Sequence, residues 1–423
     1  MIEVTEIIAI IVFLLVIIAI MTEKVHRTAA ALVGAVLLLM THVLTVDKAV
    51  SYIDFNTIGV LVGMMVFVAI VKNSGVFEYV SIKAAKIAHG DQWKIMVLFM
   101  LTTAILSAFL DNVTTVLLVG PMTITIARIL KVNPVPFLLT QIFAANIGGT
   151  ATLIGDPPNI MIGSAAGLDF MDFVANTGVV VVIIMIAMVV VMRFIYGRKM
   201  SADAEAIQSV MDLDEEKAIE DRSLLYKSIV VMILVVFGFI FHSQIGFESA
   251  TVALAAAAIM LVIGKQNVEY IVSEVEWSTI LFFIFLFVVV GGLDETGVIG
   301  QLAQVVLNAT EGHEVMTMLI LLWASALLSS VLDNIPFVAT LIPLVLELGE
   351  NGVDITPLWW AISLGACLGG NGTLIGESAN VVLSGISNKH GYPITFKTYT
   401  KVGFPIMLMT IVISMVYLLI RYA

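Results

Sequence analysis

Residues 148–159 read GGTATLIGDPPN, and they interrupt an apolar run that is long enough to cross a membrane. Three glycines and two prolines within twelve residues cannot continue a helix, so the stretch predicts a break inside a transmembrane segment. Irregular backbone is stable at membrane depth only where it lines a cavity or is covered by protein. We therefore expect free carbonyls at the end of the first half-helix to suit a cation. Free amides at the start of the second half-helix should suit a polar or anionic group.

The same pattern returns 221 positions later, where residues 369–380 read GGNGTLIGESAN. The tripeptide LDN occurs at residues 110–112 and again 222 positions later, at residues 332–334. Such regular spacing over half a chain indicates an internal duplication. The second copy lacks the two prolines, so the two half-sites are similar but not equivalent. The predicted organisation is a first inverted repeat over residues 1–197, an acidic cytoplasmic linker over residues 198–225 and a second inverted repeat over residues 226–423.

The composition supports an integral membrane protein. The chain has 423 residues, of which 60% are hydrophobic and 12% charged, and its mean hydropathy is +1.08. Many of the acidic residues that give the net charge of −12 lie in one loop, residues 203–221, and no basic surface for nucleic acid is evident. The single cysteine, Cys367, excludes an internal disulfide and a cysteine metal site. We expect no cofactor.

The placement of lysine and arginine predicts the orientation. If both termini lie outside the cell, only Lys48 and Arg421 of the 20 basic residues fall outside, and the linker, residues 198–225, is cytoplasmic. This arrangement is typical of a prokaryotic inner membrane protein. Each half then crosses the membrane five times if its hairpin segment returns to its starting side, and an odd number of crossings inverts the second half relative to the first.

Four acidic residues lie within apolar segments, at Asp111, Asp156, Asp333 and Glu377. An ionised carboxylate is costly in hydrocarbon unless it is paired, hydrated or protonated, so each is a candidate functional residue. Asp111 and Asp333 each stand between two apolar arms. The arms are either two complete helices joined by a surface turn, in which Asp-Asn is common, or a re-entrant hairpin whose tip lies near the midplane. The glycines also have a second interpretation, because they permit close helix packing.

None of these motifs contains lysine, arginine or histidine. Carboxylates without fixed positive charge favour binding a cation or exchanging protons. The motifs therefore weigh against a multiply charged anion such as citrate or sulfate as the substrate.

The segments LDNVTT from Leu110 and NIGGTATLIGDPPNIMI from Asn146, repeated more weakly from Leu332 and Gly369, resemble the ion transporter superfamily, most closely its ArsB and P-protein branch. The resemblance covers nearly the whole chain. It implies a homodimer in which a transport domain, with two re-entrant hairpins and two unwound helices, moves against a scaffold in an elevator fashion. It also implies that the hairpin tips meet the helix breaks. The Asp-Asn tips differ from the Ser-Asn-Thr tips of the superfamily's dicarboxylate carriers, so that substrate is not transferred.

We therefore expect an all-α integral membrane fold and a secondary transporter, not an enzyme. The first hypothesis is proton-coupled efflux of a small inorganic solute such as arsenite. The alternatives are a sodium/proton antiporter and a sodium-coupled carrier of an organic anion, and a gated channel fits the repeat less well. The coupling ion is H+ or Na+, the other partners are the solute and the lipid bilayer, and any ATP coupling would need a separate ATPase subunit because no phosphate-binding loop motif is present.

The four acids are expected to carry protons or ligate a monovalent cation. The remaining residues are expected to supply neutral oxygens and amides, or to allow the backbone to approach the bound ion or solute closely. The expected substrate- and ion-binding residues are Asp111, Asn112, Thr114, Thr115, Asn146, Gly148, Gly149, Thr150, Thr152, Gly155, Asp156, Asn159, Asp333, Asn334, Gly369, Gly370, Asn371, Thr373, Gly376, Glu377 and Asn380.

Overall fold

The computed structural model describes residues 4–22, 24–197, 204–310 and 312–423, and within these ranges the chain is helical without any strand. Eight of the described helices are long and apolar enough to cross a membrane, or nine if one bent helix pair is counted as a single span. The all-α integral membrane fold predicted from composition and hydropathy is confirmed.

The first half contains eleven α-helices and a π-helical turn, Val174–Gly178. The helices are α1 (Val4–Thr22), α2 (Arg27–Met40), α3 (Val46–Ser51), α4 (Phe55–Lys72), α5 (Val76–Ile87), α6 (Gln92–Phe109), α7 (Asn112–Ile129), α8 (Val135–Gly149), α9 (Pro157–Ala166), α10 (Phe170–Phe173) and α11 (Val179–Ile195).

Eleven further helices follow, with 3-10 turns at Glu215–Ala218 and Gly370–Gly372. They are α12 (Ala204–Met211), α13 (Arg222–Phe241), α14 (Ser249–Ile263), α15 (Val268–Glu274), α16 (Trp277–Glu295), α17 (Val298–Thr310), α18 (Glu314–Ser329), α19 (Asn334–Glu350), α20 (Thr356–Gly369), α21 (Ser378–Lys389) and α22 (Phe396–Tyr422).

The helix boundaries follow the spacing of the sequence motifs. Helices α16 to α19 each begin 222 positions after α4 to α7, and α20 and α21 begin 221 positions after α8 and α9. Neither glycine-rich motif continues its helix: α8 ends at Gly149 and α9 begins at Pro157, while α20 ends at Gly369 and α21 begins at Ser378. Proline suits the first turn of α9 because its missing N–H would have no intrahelical partner there. The inversion of one half relative to the other stays a prediction.

Both hairpins turn at an acidic residue that caps the following helix. Asp111 accepts a hydrogen bond of 2.8 Å from the backbone N–H of Thr114 at the start of α7. Asp333 accepts one of 3.1 Å from the N–H of Ile335 at the start of α19. A side-chain oxygen at this position satisfies one of the donors that a helix start leaves open.

The helices pack in two groups. The frame helices, defined here as α1, α2, α4, α13, α14 and α16, pack against one another. The core helices, defined here as α6 to α9 and α18 to α22, form the second group and contain both hairpins and both helix breaks. Residues 137–149 of α8 and 357–369 of α20 are all buried, so these two helices form the centre of the molecule.

The described part of the linker lies against α5. The Glu215 carboxylate accepts hydrogen bonds from Lys86 Nζ at 2.5 Å and Lys83 Nζ at 2.9 Å. These two ammonium groups lower the pKa of the Glu215 carboxyl to about 2. Helix α5 therefore presents both lysines to the linker. The first part of the predicted linker, residues 198–203, lies outside the described residues.

Ion pairs join helix ends that the predicted topology places on the same side of the membrane. Lys72 Nζ lies 3.1 Å from Glu274 Oε2, and both are predicted to be cytoplasmic. Lys48 Nζ lies 3.1 Å from Glu295 Oε2, and both are predicted to be outside. The pairs are consistent with the predicted orientation, which stays a prediction.

Candidate functional site

The two acids of the helix breaks meet one asparagine from a hairpin tip. Asp156, just before α9, is 0% exposed, and Glu377, just before α21, is 3% exposed. The side-chain amide of Asn334 donates to Glu377 Oε2 at 2.7 Å and to Asp156 Oδ1 at 3.5 Å. A single amide group therefore lies between two buried carboxylates that are 221 positions apart in the chain.

The hairpin tips contact the breaks of the opposite half. Asn112, at the tip of the first hairpin, donates to Glu377 Oε1 at 3.1 Å and to Asn146 Oδ1 at 3.4 Å. Asn334, at the tip of the second hairpin, reaches Asp156 of the first half. The two contacts are repeat equivalents, since Asn112 corresponds to Asn334 and Glu377 to Asp156. The structure thus brings both tips to both breaks in one buried polar cluster, as the resemblance implies.

In each helix break, one asparagine side chain donates hydrogen bonds to backbone carbonyls of the same break. The amide of Asn159 donates to the carbonyl of Thr152 at 2.9 Å, and the amide of Asn380 donates to the carbonyl of Thr373 at 3.0 Å. Asn380 also donates to the carbonyl of Gly370 at 2.8 Å. Three of the break carbonyls, those of Thr152, Gly370 and Thr373, therefore already accept hydrogen bonds from these side chains.

The oxygens of the same asparagines join the two halves. Asn380 Oδ1 accepts from Asn146 Nδ2 at 3.0 Å, and Asn146 also donates to Asn371 Oδ1 at 3.0 Å. Asn159 Oδ1 accepts from Ser363 Oγ at 2.7 Å. Each break is therefore bonded to the buried central helix of the opposite half.

The four predicted acids fall into two classes. Asp156 and Glu377 precede helices without bonding to their first turns, and their carboxylates point into the cluster. Asp111 bonds to Thr114, through the backbone N–H and, at 2.5 Å, the hydroxyl. Asp333 caps α19 and forms an ion pair with Arg27. Of the four acids, only Asp156 and Glu377 share the amide of Asn334.

Arg27 brings a fixed positive charge that the sequence motifs do not contain. From the start of α2, its guanidinium donates to Asp333 Oδ2 at 3.0 Å, to Ser378 Oγ at 2.7 Å and to Thr279 Oγ1 at 3.1 Å. The basic group that the four motifs lack is therefore supplied from elsewhere in the chain. Arg27 lies 306 positions from Asp333, and its one sequence signal, a basic residue beginning an apolar helix, is also that of an ordinary topology determinant.

Several predicted site residues hold the hairpins against the breaks instead of facing the cluster. A Cβ added to Gly369 would lie 2.6 Å from the carbonyl oxygen of Ala326 in the hairpin arm α18. Thr373 donates to the carbonyl of Ser330 at 2.5 Å, and Thr152 donates to the carbonyl of Ala108. At these positions the small residues allow two backbones to pack closely, which is the second interpretation given above for the glycines. Gly148, Gly155 and Gly376 have the same kind of contact with the backbone of a hairpin arm. Gly149 and Gly370 contact residues of their own break, and the Thr150 hydroxyl donates to the carbonyl of Asn146 in its own helix.

The cluster contains polar atoms without a hydrogen-bond partner among the described residues. These are Asp156 Oδ2, Asn334 Oδ1 and Asn371 Nδ2, and Thr115 Oγ1 in α7 is another. Buried polar atoms are normally bonded, so open positions indicate room for a proton, an ion or water. A void of about 30 Å³ beside Asp111, Asn112 and Glu377 has room for about one water molecule.

A larger cavity of about 550 Å³ begins next to this cluster. Its polar end contains Arg27, Asp333, Glu377 and Ser378. Its walls are apolar and come from α1, the second hairpin and α21. The volume is within the range of small-molecule sites in proteins, roughly 300–1,000 Å³. The structure thus places a solute-sized space directly beside the buried carboxylates.

Comparison with known proteins gives consistent matches over nearly the whole chain. Residues 17–365 match the family described as "Citrate transporter". An uncharacterized transporter of Mycobacterium bovis is 43% identical over 99% of both chains. The P protein of Mus musculus is 34% identical over 95% of this chain and 58% of its own length, which confirms the resemblance to the P-protein branch. The YdaH transporter of Alcanivorax borkumensis, at 14% identity, shares the fold with a TM-score of 0.60 over 86% of this chain and 85% of its own.

Proposed function

Because the chain belongs to the citrate transporter family, we propose that it is a proton-coupled secondary transporter in which Asp156 and Glu377 carry the coupling protons. That the chain is a membrane transporter and not an enzyme follows from the family and from its relatives. The proton-coupling role, the solute and the direction of transport are the proposed part.

One observation carries the proposal: two buried carboxylates share the amide of Asn334. Two ionised carboxylates in such a position would repel each other and would both lack hydration. A bound proton or a monovalent cation removes this cost. Alternating access would then expose the pair to one side of the membrane and then to the other, with protons taken up on one side and released on the other.

The proton is the coupling ion that the geometry favours. A cation such as Na+ needs several oxygen ligands, and the break carbonyls of Thr152 and Thr373 already accept hydrogen bonds from Asn159 and Asn380. A proton needs only one carboxylate oxygen, and Asp156 Oδ2 lacks a partner among the described residues. Sodium is the second candidate, because Asn334 Oδ1 is a further open acceptor in the same cluster.

For the solute, the first candidate is a small inorganic species such as arsenite, which would leave the cell in exchange for protons. Such a solute can bind without a free basic side chain in the site. This agrees with the structure, because the guanidinium of Arg27 is already paired with Asp333. The second candidate is an organic anion such as citrate, after the family's description. The observation that favours it is Arg27 itself, a cationic group at the polar end of the 550 Å³ cavity.

The proposal includes an elevator movement of the core helices against the frame helices. Its support is that both breaks and both hairpins belong to the core helices, while the frame helices pack mainly among themselves and meet the core helices through α9 and α19. We also propose that the protein is a homodimer in a prokaryotic inner membrane. Its termini would lie outside the cell and its linker in the cytoplasm. Coupling to ATP would require a separate ATPase subunit.

The test is proton flux in proteoliposomes with an imposed pH gradient and a trapped pH dye. Sodium, lithium, arsenite and citrate are added in turn. A response to arsenite alone supports the exporter, a response to sodium or lithium alone makes the protein a cation/proton antiporter, and a response to citrate alone supports the organic anion carrier.

The same assay tests the two carboxylates. We expect Asp156→Asn and Glu377→Gln each to lower coupled flux by about 100-fold or more, in the range typical of a lost proton-transfer group. Glu350→Gln, at an exposed residue of α19, is the matched control and should retain wild-type flux. Wild-type proton coupling in Glu377→Gln would refute the assignment.

A further inference from the structure

We propose that Arg27 is a movable latch between the frame and core helices, bound to Asp333 in the conformation described here and to Glu276 after the core helices move. The proposal concerns how the two helix groups are held in each conformation. It rests on the proposed movement of the core helices against the frame helices, but it does not depend on which solute or coupling ion the protein uses.

The contact with Asp333 joins the two groups. Arg27 belongs to the frame helix α2, whereas Asp333 directly precedes the core helix α19 and Ser378 begins the core helix α21. The side chains of Arg27 and Asp333 are 24% and 14% exposed, so the ion pair is largely shielded from water. Ser378 Oγ also donates to Asp333 Oδ2 at 3.1 Å, which holds the carboxylate in place. Ionised hydrogen-bond partners of this kind are stronger than neutral ones.

The guanidinium is also held from the frame side. Its central carbon lies 5.1 Å from the ring centre of Phe282 on α16, a distance that permits a cation–π interaction. Its second terminal nitrogen donates to Thr279, also on α16. Arg27 would therefore stay with the frame helices when the core helices leave, and it would lose Asp333.

Glu276 is placed to receive Arg27 at that point. It directly precedes α16, and its Oε2 accepts from the hydroxyl of Thr279 at 3.0 Å. Arg27 and Glu276 thus share one threonine. Both residues line the 550 Å³ cavity, which leaves space for the guanidinium to turn. A buried arginine without a partner is costly, and a carboxylate on the same helix group removes that cost in the second conformation.

The latch makes opposite predictions for its two acids. Removing the charge of Asp333 weakens the described conformation, whereas removing the charge of Glu276 weakens the alternative one. A purely structural role for Arg27 would make both changes act in the same direction. A ligand or mutation can shift a two-state equilibrium only by its differential effect on the two states.

A single introduced cysteine reports the conformation. Thr340 is half-buried and lines the cavity, and Thr340→Cys replaces the hydroxyl with a thiol and removes one methyl group. The native cysteine, Cys367, is buried and can be retained. The rate of reaction with a hydrophilic maleimide, in purified protein without solute or pH gradient, then measures how often this cavity is open. Size-exclusion chromatography of each variant checks that it is folded.

We expect Asp333→Asn to lower the labelling rate by about 3- to 10-fold and Glu276→Gln to raise it. The double variant should return toward the wild-type rate, because both biases are removed. Arg128→Gln is the control, since its guanidinium bonds to the carbonyl of His390 on the surface, and its rate should not change. Equal effects of the same sign, or no effect of Asp333→Asn, would overturn the latch while leaving the proton-coupling proposal untouched.

Discussion

At the scale of single residues, Asn159 and Asn380 solve the same problem in the two halves. A break in a transmembrane helix leaves backbone carbonyls without donors, and hydrocarbon offers none. Each asparagine lies near the start of the helix after the break and returns its amide to the carbonyl seven positions earlier, at 2.9 Å and 3.0 Å respectively. An amide suits this role because it also carries an acceptor for the opposite half.

Asn159→Ala should therefore destabilise the folded protein by about 1–3 kcal/mol, the cost of leaving buried polar groups unpaired. The matched control is Asn388→Ala at an exposed position in α21, which should change stability by no more than about 0.5 kcal/mol. Thermal unfolding in detergent measures both. Equal melting temperatures for the two variants would show that the break does not depend on this amide.

At the scale of helices, the hairpin arms lie directly on the buried helices α8 and α20. Ser107 in α6 donates to the carbonyl of Ala145 at 2.7 Å, and Ser329 in α18 donates to the carbonyl of Ala366 at 2.6 Å. These bonds are repeat equivalents. They require close approach of two helix backbones, which small residues allow.

Gly369 is the position where this approach is easiest to test. Gly369→Ala would place its new methyl group against the backbone of Ala326, so we expect a loss of about 1–3 kcal/mol from overpacking. Gly385 in α21 has open space around it, and Gly385→Ala should leave the unfolding temperature unchanged or slightly higher. Thermal unfolding of the two single variants in the same detergent gives the comparison, and an unchanged melting temperature for Gly369→Ala would contradict the close packing.

At the scale of the whole molecule, the frame helices and core helices meet around the polar cluster, and Arg27 joins them. The linker lies at one end of the molecule, where Glu215 binds the lysines of α5. The loop between α13 and α14 belongs to the opposite end in the predicted topology. The side of the membrane on which each of these two segments lies therefore determines the orientation of the chain.

In intact cells, a membrane-impermeant maleimide should label Ser243→Cys in that loop and should not label Ser209→Cys in α12, because the linker is predicted to be cytoplasmic. Both serines are exposed, so both cysteines should react after the membrane is permeabilised. The wild-type chain, whose only cysteine is buried, provides the unlabelled background. Labelling of Ser209→Cys alone in intact cells would show that the orientation is the opposite of the predicted one.

The sequence alone determined the features that depend on local chemistry. Hydropathy predicted the membrane class, glycine and proline predicted the first helix break, and glycine together with the repeated spacing of 221 and 222 positions predicted the second break and the matching helix boundaries. These signals are local because each helix in a membrane must satisfy its own backbone hydrogen bonds. Residues that prevent such bonding are visible wherever they occur.

Only the tertiary structure decided which polar groups become partners. The sequence treats the four acids alike, but Asp156 and Glu377 meet at Asn334, whereas Asp333 binds Arg27 from the opposite end of the chain. The sequence also did not indicate that Asn159 and Asn380 donate hydrogen bonds to the carbonyls of the breaks. Partner choice depends on how helices far apart in sequence pack, and a buried charge is stable only beside the group that this packing places against it.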